Sequence, residues 1–221
     1  MSHYQYFKSN GTDHGHSQGH FQRKADEHAH WHLKRVAGLM GRWANFYAFE
    51  RLVLAGPVAA ASELYHLLPK RLRSRVVGEL PLPVEAGERQ VLEATLRFEQ
   101  GAERAAEIKL VEELIVAAAK QARAATGLES TLNSLQQGRV WRLIYAARFA
   151  PRGGQCAHCG MLFGDGRGSC GYCGAAVRPV EDLIERTIER VTEAGGRTEQ
   201  VRGAAAVRLR AAGGIGAVLR F

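Results

Sequence analysis

The sequence predicts an α/β protein, and three observations carry that prediction. Apolar runs of strand length alternate with segments whose apolar residues recur every three or four positions. Glycine and proline punctuate the runs, as at Gly56-Pro57, Gly127, Gly138 and Gly195-Gly196. Four cysteines stand in two close pairs in the second half, a metal pattern more than a disulfide one.

At 221 residues the chain is long enough for two small domains or one large one. Its 46% apolar fraction is that of a folded globular protein. A net charge of +8 and a pI near 9.6 point to a polyanionic partner, RNA ahead of membrane. The chain has no run of 18 apolar residues, and MSHYQYFKSN lacks a signal-peptide core, so a soluble, cytoplasmic protein is expected.

Residues 1–13 carry no structural pattern and are expected to be disordered or a truncated start. From His14 to Arg35 the chain packs six of its nine histidines: His14, His16, His20, His28, His30 and His32. Gly15 and Gly19 flank Ser17-Gln18, which reads as an exposed loop. Trp31, Leu33, Val36, Ala37, Met40 and Trp43 then recur at helical spacing, so a helix is expected to about Phe46. Arg23, Lys24 and partly protonated imidazoles such as His20 would suit a phosphate-lined cleft. A solvated helix face or a loose metal site are the alternatives; the interleaved helix-forming residues argue against a tag.

Glu50 to Ala55 reads as a short, largely buried strand closed by Gly56-Pro57, and Val58 to Leu68 as a helix stopped by Pro69. Lys70, Arg71, Arg73 and Arg75 follow with no acid until Glu79, a cluster suited to rRNA or tRNA phosphates or to a solubilising surface. Leu80-Pro-Leu-Pro83 reads as an extended connector. Helical pattern then dominates from Gly87 to Thr126, with Ile108, Val111, Leu114, Ile115 and Ala118 on one face. Beyond it come a short helix after Gly127, a strand over Val140–Ala146 and a helix within Val180–Ala194. Strands at Thr198–Val201 and Gly214–Phe221 complete the pattern. This alternation implies an α/β sandwich.

Cys156-Ala-His-Cys159-Gly160 and Cys170-Gly-Tyr-Cys173-Gly174 are two Cys-x-x-Cys-Gly knuckles separated by ten residues. Tetrahedral zinc needs four such ligands, with each thiolate about 2.3 Å from the ion. The glycine after each pair permits the tight turn. One structural Zn2+ held by Cys156, Cys159, Cys170 and Cys173 is therefore expected, with no open position for catalysis and His158 a bystander. Just before them, Gly153-Gly154-Gln155 spells the tripeptide that peptide-chain release factors use for hydrolysis. At the base of a zinc ribbon it reads as a linker, because a long mobile loop is hard to build there.

With these elements in place the chain resembles the archaeal and eukaryotic release-factor-one and Pelota superfamily. It is most similar to the bacterial members, which include Balon-like ribosome-associated hibernation factors and sequences named host attachment proteins. The resemblance rests on Gly15-His-Ser-Gln-Gly-His-Phe-Gln-Arg23, Asp26-Glu27, Leu33-Lys-Arg-Val-Ala37, Arg51-Leu-Val-Leu-Ala-Gly56 and Leu68-Pro-Lys-Arg-Leu-Arg73. Gly127-Leu-Glu-Ser-Thr-Leu132 and Gly213-Gly-Ile-Gly-Ala-Val-Leu-Arg-Phe221 complete it. It implies a partial release-factor central domain over residues 14–102, whose tip enters the peptidyl-transferase region. An α/β/α C-terminal domain would occupy 103–221, contact a translational GTPase such as elongation factor Tu, and carry a zinc ribbon at 153–176. The amino-terminal domain that reads the decoding centre and the opening strands of the central sheet have no match. A fragment or a misplaced start codon is the expectation.

Three functions compete. The first is a non-hydrolytic, ribosome-associated factor in hibernation, rescue or recycling, with Ser17, Gln18, His20, Arg23, Lys24, Lys70, Arg71, Arg73 and Arg75 on rRNA or tRNA. The second is a peptidyl-tRNA hydrolase in which Gln18 orients water at the ester. The third is a generic zinc-ribbon RNA-binding or adaptor protein. The tip reads His-Ser-Gln where hydrolytic relatives have Gly-Gly-Gln, which favours the first.

Overall fold

The computed structural model describes residues 14–166 and 168–221, with the backbone alone for 14–22 and for Ala25. The chain divides into two compact units, one ending at Phe98 and the other running Glu99–Phe221. Among the described residues no helix is long and apolar enough to cross a membrane.

The first unit begins with α1 (His14–Phe46). Its helical backbone already includes the Gly15–Gly19 stretch that reads as a loop in the sequence. Helix elongation adds one hydrogen bond per residue fixed, so a long established helix can extend through two glycines that would never nucleate one. β1 (Leu52–Gly56) and β2 (Val76–Pro81) follow as a parallel pair, with Val53 opposite Gly78 and Leu54 opposite Glu79. Only Leu54 of β1 is fully buried, so the strand is half-covered rather than largely buried. The connection between them is α2 (Val58–Leu67) and the single turn α3 (Lys70–Arg73). Leu68 breaks the helix with an extended ψ of 143°, as the residue before a proline must. Ala37, Leu54, Ala61, Leu68 and Leu72 form the core. Gly78 is required by close approach, since a Cβ there would run into the Phe98 ring.

The division between the units falls inside α4 (Glu88–Ala119). The second unit is built on a four-stranded sheet in the order β3 (Ala124–Thr126), β9 (Ile215–Leu219), β4 (Val140–Ala146), β8 (Arg197–Val201). β4 and β8 are parallel, while β9 runs antiparallel to both its neighbours. On one face α5 (Leu128–Gln136) and α6 (Leu183–Glu193) bury Leu132, Leu135, Leu183, Ile184 and Val191 against Leu143, Ile215 and Ala217. On the other, Val111 and Leu114 of α4 join Ala205, Ala206 and Leu209 of α7 (Gly203–Ala211) over Ile144 and Val201. The result is the α/β/α sandwich that the alternation implies. Asp182 caps α6 by accepting a 2.9 Å hydrogen bond from the Glu185 N–H.

Between β4 and α6 lies a small antiparallel sheet, β6 (Leu162–Phe163), β5 (Gly153–Cys156) and β7 (Val177–Val180). It carries the cysteines.

Candidate metal centre and nucleic-acid contacts

The two knuckles fold as the spacing requires. Gly160 and Gly174 take φ of 72° and 77°, the left-handed turn that glycine adopts without strain. Each turn closes by a backbone bond, Gly160 N–H to Cys156 O at 3.1 Å and Gly174 N–H to Cys170 O at 2.8 Å. The chain then aims N–H groups at sulfur, from His158 and Cys159 to Cys156 Sγ and from Tyr172 to Cys170 Sγ, at 3.4–3.5 Å. All four sulfurs lie within 4.8 Å of one another. None of the four is in a disulfide, and His158 is exposed outside the cluster.

The thiols have unequal acidities. The Cys159 backbone N–H, with help from His158 and the adjacent thiols, holds Cys156 down at about 6 against burial. The Met161 N–H acts to lower Cys159, but burial and hydrogen bonds from its three sister cysteines raise that thiol to about 12. Four converging sulfurs with N–H support fit a closed tetrahedral metal site.

Three groups that sequence reasoning missed pin the first knuckle. Arg190 Nη1 reaches Gly160 O at 2.5 Å, Gln155 Nε2 reaches the same carbonyl at 3.3 Å, and Gln136 donates to Leu162 O. Two of the three come from helices α5 and α6, distant in sequence, so no local pattern announces them. Gly153-Gly154-Gln155 is strand β5, where a linker is expected from sequence. Both glycines are there because a Cβ would collide, at Gly153 with Leu183 and the Phe163 carbonyl and at Gly154 with Val177 and the Arg178 carbonyl. The tripeptide is structural packing, far from a mobile loop.

The basic residues divide by what they hold. Arg71 donates to Asn45 Oδ1 at 2.8 Å and to Gly41 O at 2.7 Å, fastening α3 to α1. Arg75 donates to Phe49 O at 2.8 Å and lies 5.5 Å from the Phe49 ring. Arg73 is half-buried, and its Nε is buried with no hydrogen-bond partner. Lys70 is exposed, as are Arg23 and Lys24 on α1. The side chains of Ser17, Gln18 and His20 lie outside the described residues; their backbone belongs to α1. His30 Nδ1 meets Glu63 Oε1 at 2.6 Å, joining α1 to α2. Among the described residues the histidines form no cluster that could hold a metal.

Set beside solved structures, the chain matches ribosome-bound archaeal Pelota and ABCE1 at 20% identity, covering 86% of this chain and 48% of that one with a TM-score of 0.51. Archaeoglobus fulgidus Pelota matches at 20% identity over 84% and 53%, TM-score 0.48. S. cerevisiae Dom34, a translation termination-like factor interacting with Hbs1, matches at 14% over 86% and 51%, TM-score 0.49. The chain thus spans about half the length of the Pelota and Dom34 structures it matches. No curated protein matches it in sequence. The fold is that of Pelota- and release-factor-like proteins. Residues 2–100 match the model of Bacterial archaeo-eukaryotic release factor family 10, so this stretch of the chain is similar to that family.

Proposed function

We propose that the protein is a cytoplasmic, ribosome-associated translation factor that binds rRNA or tRNA without hydrolysing peptidyl-tRNA, acting in hibernation, rescue or recycling. The match of residues 2–100 to a bacterial release-factor family carries this reading. The Pelota fold and the exposed cations Arg23, Lys24 and Lys70 support it. Ser17, Gln18 and His20 would stand at the tip, and the C-terminal unit would dock a protein partner such as a translational GTPase, elongation factor Tu being one example. Cys156, Cys159, Cys170 and Cys173 would hold one structural Zn2+, which supplies folding energy and no reactive position. Against hydrolysis stand the helical backbone around Gln18 and the burial of the one Gly-Gly-Gln in a sheet. A catalytic glutamine needs a pliable backbone that can approach the ester.

Sedimentation with ribosomes through a salt series tests the reading. Phosphate contacts release counterions, so pelleting should fall steeply as salt rises. Labelled peptidyl-tRNA in the same tubes should stay intact. Absence of pelleting at low salt would refute the association, and peptide release lost in Gln18→Ala but kept in Gln155→Ala would make the protein a hydrolase.

A further inference from the structure

We propose that the C-terminal unit carries its own surface for single-stranded RNA, built around an arginine-clasped tryptophan. It uses none of the tip residues or the Lys70 cluster and does not depend on them. The sheet order assembles it. β4 runs parallel to β8 and antiparallel to β9, so the start of β4, the start of β8 and the end of β9 share one end of the sheet. That end gathers Arg139, Trp141 and Arg142 from β4 and the residue before it, Arg197 from β8, and Arg220-Phe221 after β9.

Trp141 is the centre. The guanidiniums of Arg197 and Arg220 lie 5.6 and 5.9 Å from its ring centroid, yet the residue remains 44% exposed. Arg139 stands 5.8 Å from the Phe221 ring, which is 65% exposed. Of their remaining contacts, Arg220 donates to the Ala194 carbonyl at 2.5 Å, and Arg139 to an oxygen of Phe221, the last residue of the sequence, at 2.8 Å. Among the described residues one acidic side chain pairs with this group, Glu199 on Arg142 at 3.3 Å. The two guanidiniums on Trp141, those of Arg197 and Arg220, are therefore held by the ring and by a carbonyl, which leave their charge unneutralised.

Like charges gathered about one indole repel one another, and a polyanion relieves that repulsion. The presence of exposed aromatics chooses among polyanions. An acidic protein face would use the charge and leave the rings idle. A single RNA strand uses both, its phosphates on the guanidiniums and its unpaired bases stacked on Trp141, Phe221 or the planar guanidinium faces. The patch offers no helix to enter a duplex groove, which points to unpaired strand.

The experiment titrates the full chain with fluorescein-labelled oligouridylate and oligoadenylate, reading anisotropy and tryptophan quenching. Trp141→Phe identifies the share of quenching that belongs to this site, since Trp31 and Trp43 also emit. Quenching dependent on Trp141 is expected. In Arg197→Gln/Arg220→Gln the affinity should drop roughly tenfold at low salt, and the slope of log affinity against log salt should flatten by about 0.7 per arginine removed. Arg197→Lys/Arg220→Lys should keep most of the slope and lose much of the quenching, because charge remains while planar stacking is gone. If the glutamine pair fails to fold, the lysine pair decides alone, and unchanged quenching there overturns the proposal. Polyglutamate binding as tightly as RNA of equal charge also overturns it, in favour of an acidic protein partner. Lys24→Gln/Lys70→Gln should leave Trp141 quenching intact, so this site and the proposed ribosome contacts fail separately.

Discussion

Replacing Arg71 removes two hydrogen bonds, to Asn45 and to the Gly41 carbonyl, that tie α3 to α1. At 0.5–1.5 kcal/mol for each, Arg71→Gln should cost the first unit about 1–3 kcal/mol in a urea melt. Exposed Lys70 should behave differently, with Lys70→Gln within about 0.5 kcal/mol of the parent. Only the lysine is thus a clean probe of RNA contact, a distinction the charge run Lys70–Arg75 could not express. The cysteines permit a second test at this scale. A Cys159 thiol held near 12 gives up its proton at neutral pH only when a cation takes its place. Zinc added to metal-free protein near pH 7 in weak buffer should therefore release protons, and acidification should strip the metal as thiols reprotonate. Serine at any of Cys156, Cys159, Cys170 or Cys173 should reduce bound zinc, measured by metal analysis under reducing conditions. Wild-type protein without zinc under those conditions would sink the site.

Strand β5 shows how an element can defeat a motif. Gly154→Ala would push a Cβ to 2.6 Å from Val177 Cγ1 and 2.9 Å from the Arg178 carbonyl, both across the β5–β7 pairing. Overpacking of this kind costs about 1–3 kcal/mol, so the variant should surrender zinc to a chelator faster than the parent. Gln155→Ala should lose one hydrogen bond and nothing else. The elements legible in sequence were those with a strong period: the C-terminal end of α1, β1, α2, α5, β4, α6, β8, β9 and α4, although α4 stops at Ala119 and does not run on to Thr126 as the helical pattern implied. Those missed lack a local signal. β2 hides beside Leu80-Pro-Leu-Pro83, because a proline at the end of a strand in a two-stranded pair takes no needed donor away. β3 is three residues at the foot of an alanine-rich helix and exists through its pairing with β9, some ninety positions on. α7, with alanine filling its buried face, offers almost no contrast between its sides. The convergence of the four cysteines, by contrast, was fully legible, since each Cys-x-x-Cys-Gly turn brings its two sulfurs together locally.

At the scale of the molecule, two units with separate cores should unfold separately. Among the described residues the first has a small core of Ala37, Leu54, Ala61, Leu68 and Leu72, whereas the second has a core on each face of its sheet. Calorimetry should resolve two transitions with the second unit melting later. Leu143→Ala, fully buried in β4, should lower the upper transition by about 2–5 kcal/mol and leave the lower one in place. A single concerted transition for the wild type would contradict this independence.

The position of β9 also sets a timetable. The last strand in the sequence occupies an interior place in the sheet, between β3 and β4. A growing polypeptide can complete the fold of its first unit while the second still lacks that strand. Until Ile215–Leu219 arrive, β3 and β4 have a vacant lane between them, their backbone groups and the apolar undersides of α4 and α5 open to whatever else is nearby. The second unit is therefore born all at once and late, and its nascent form is the stage at which a chaperone would matter most.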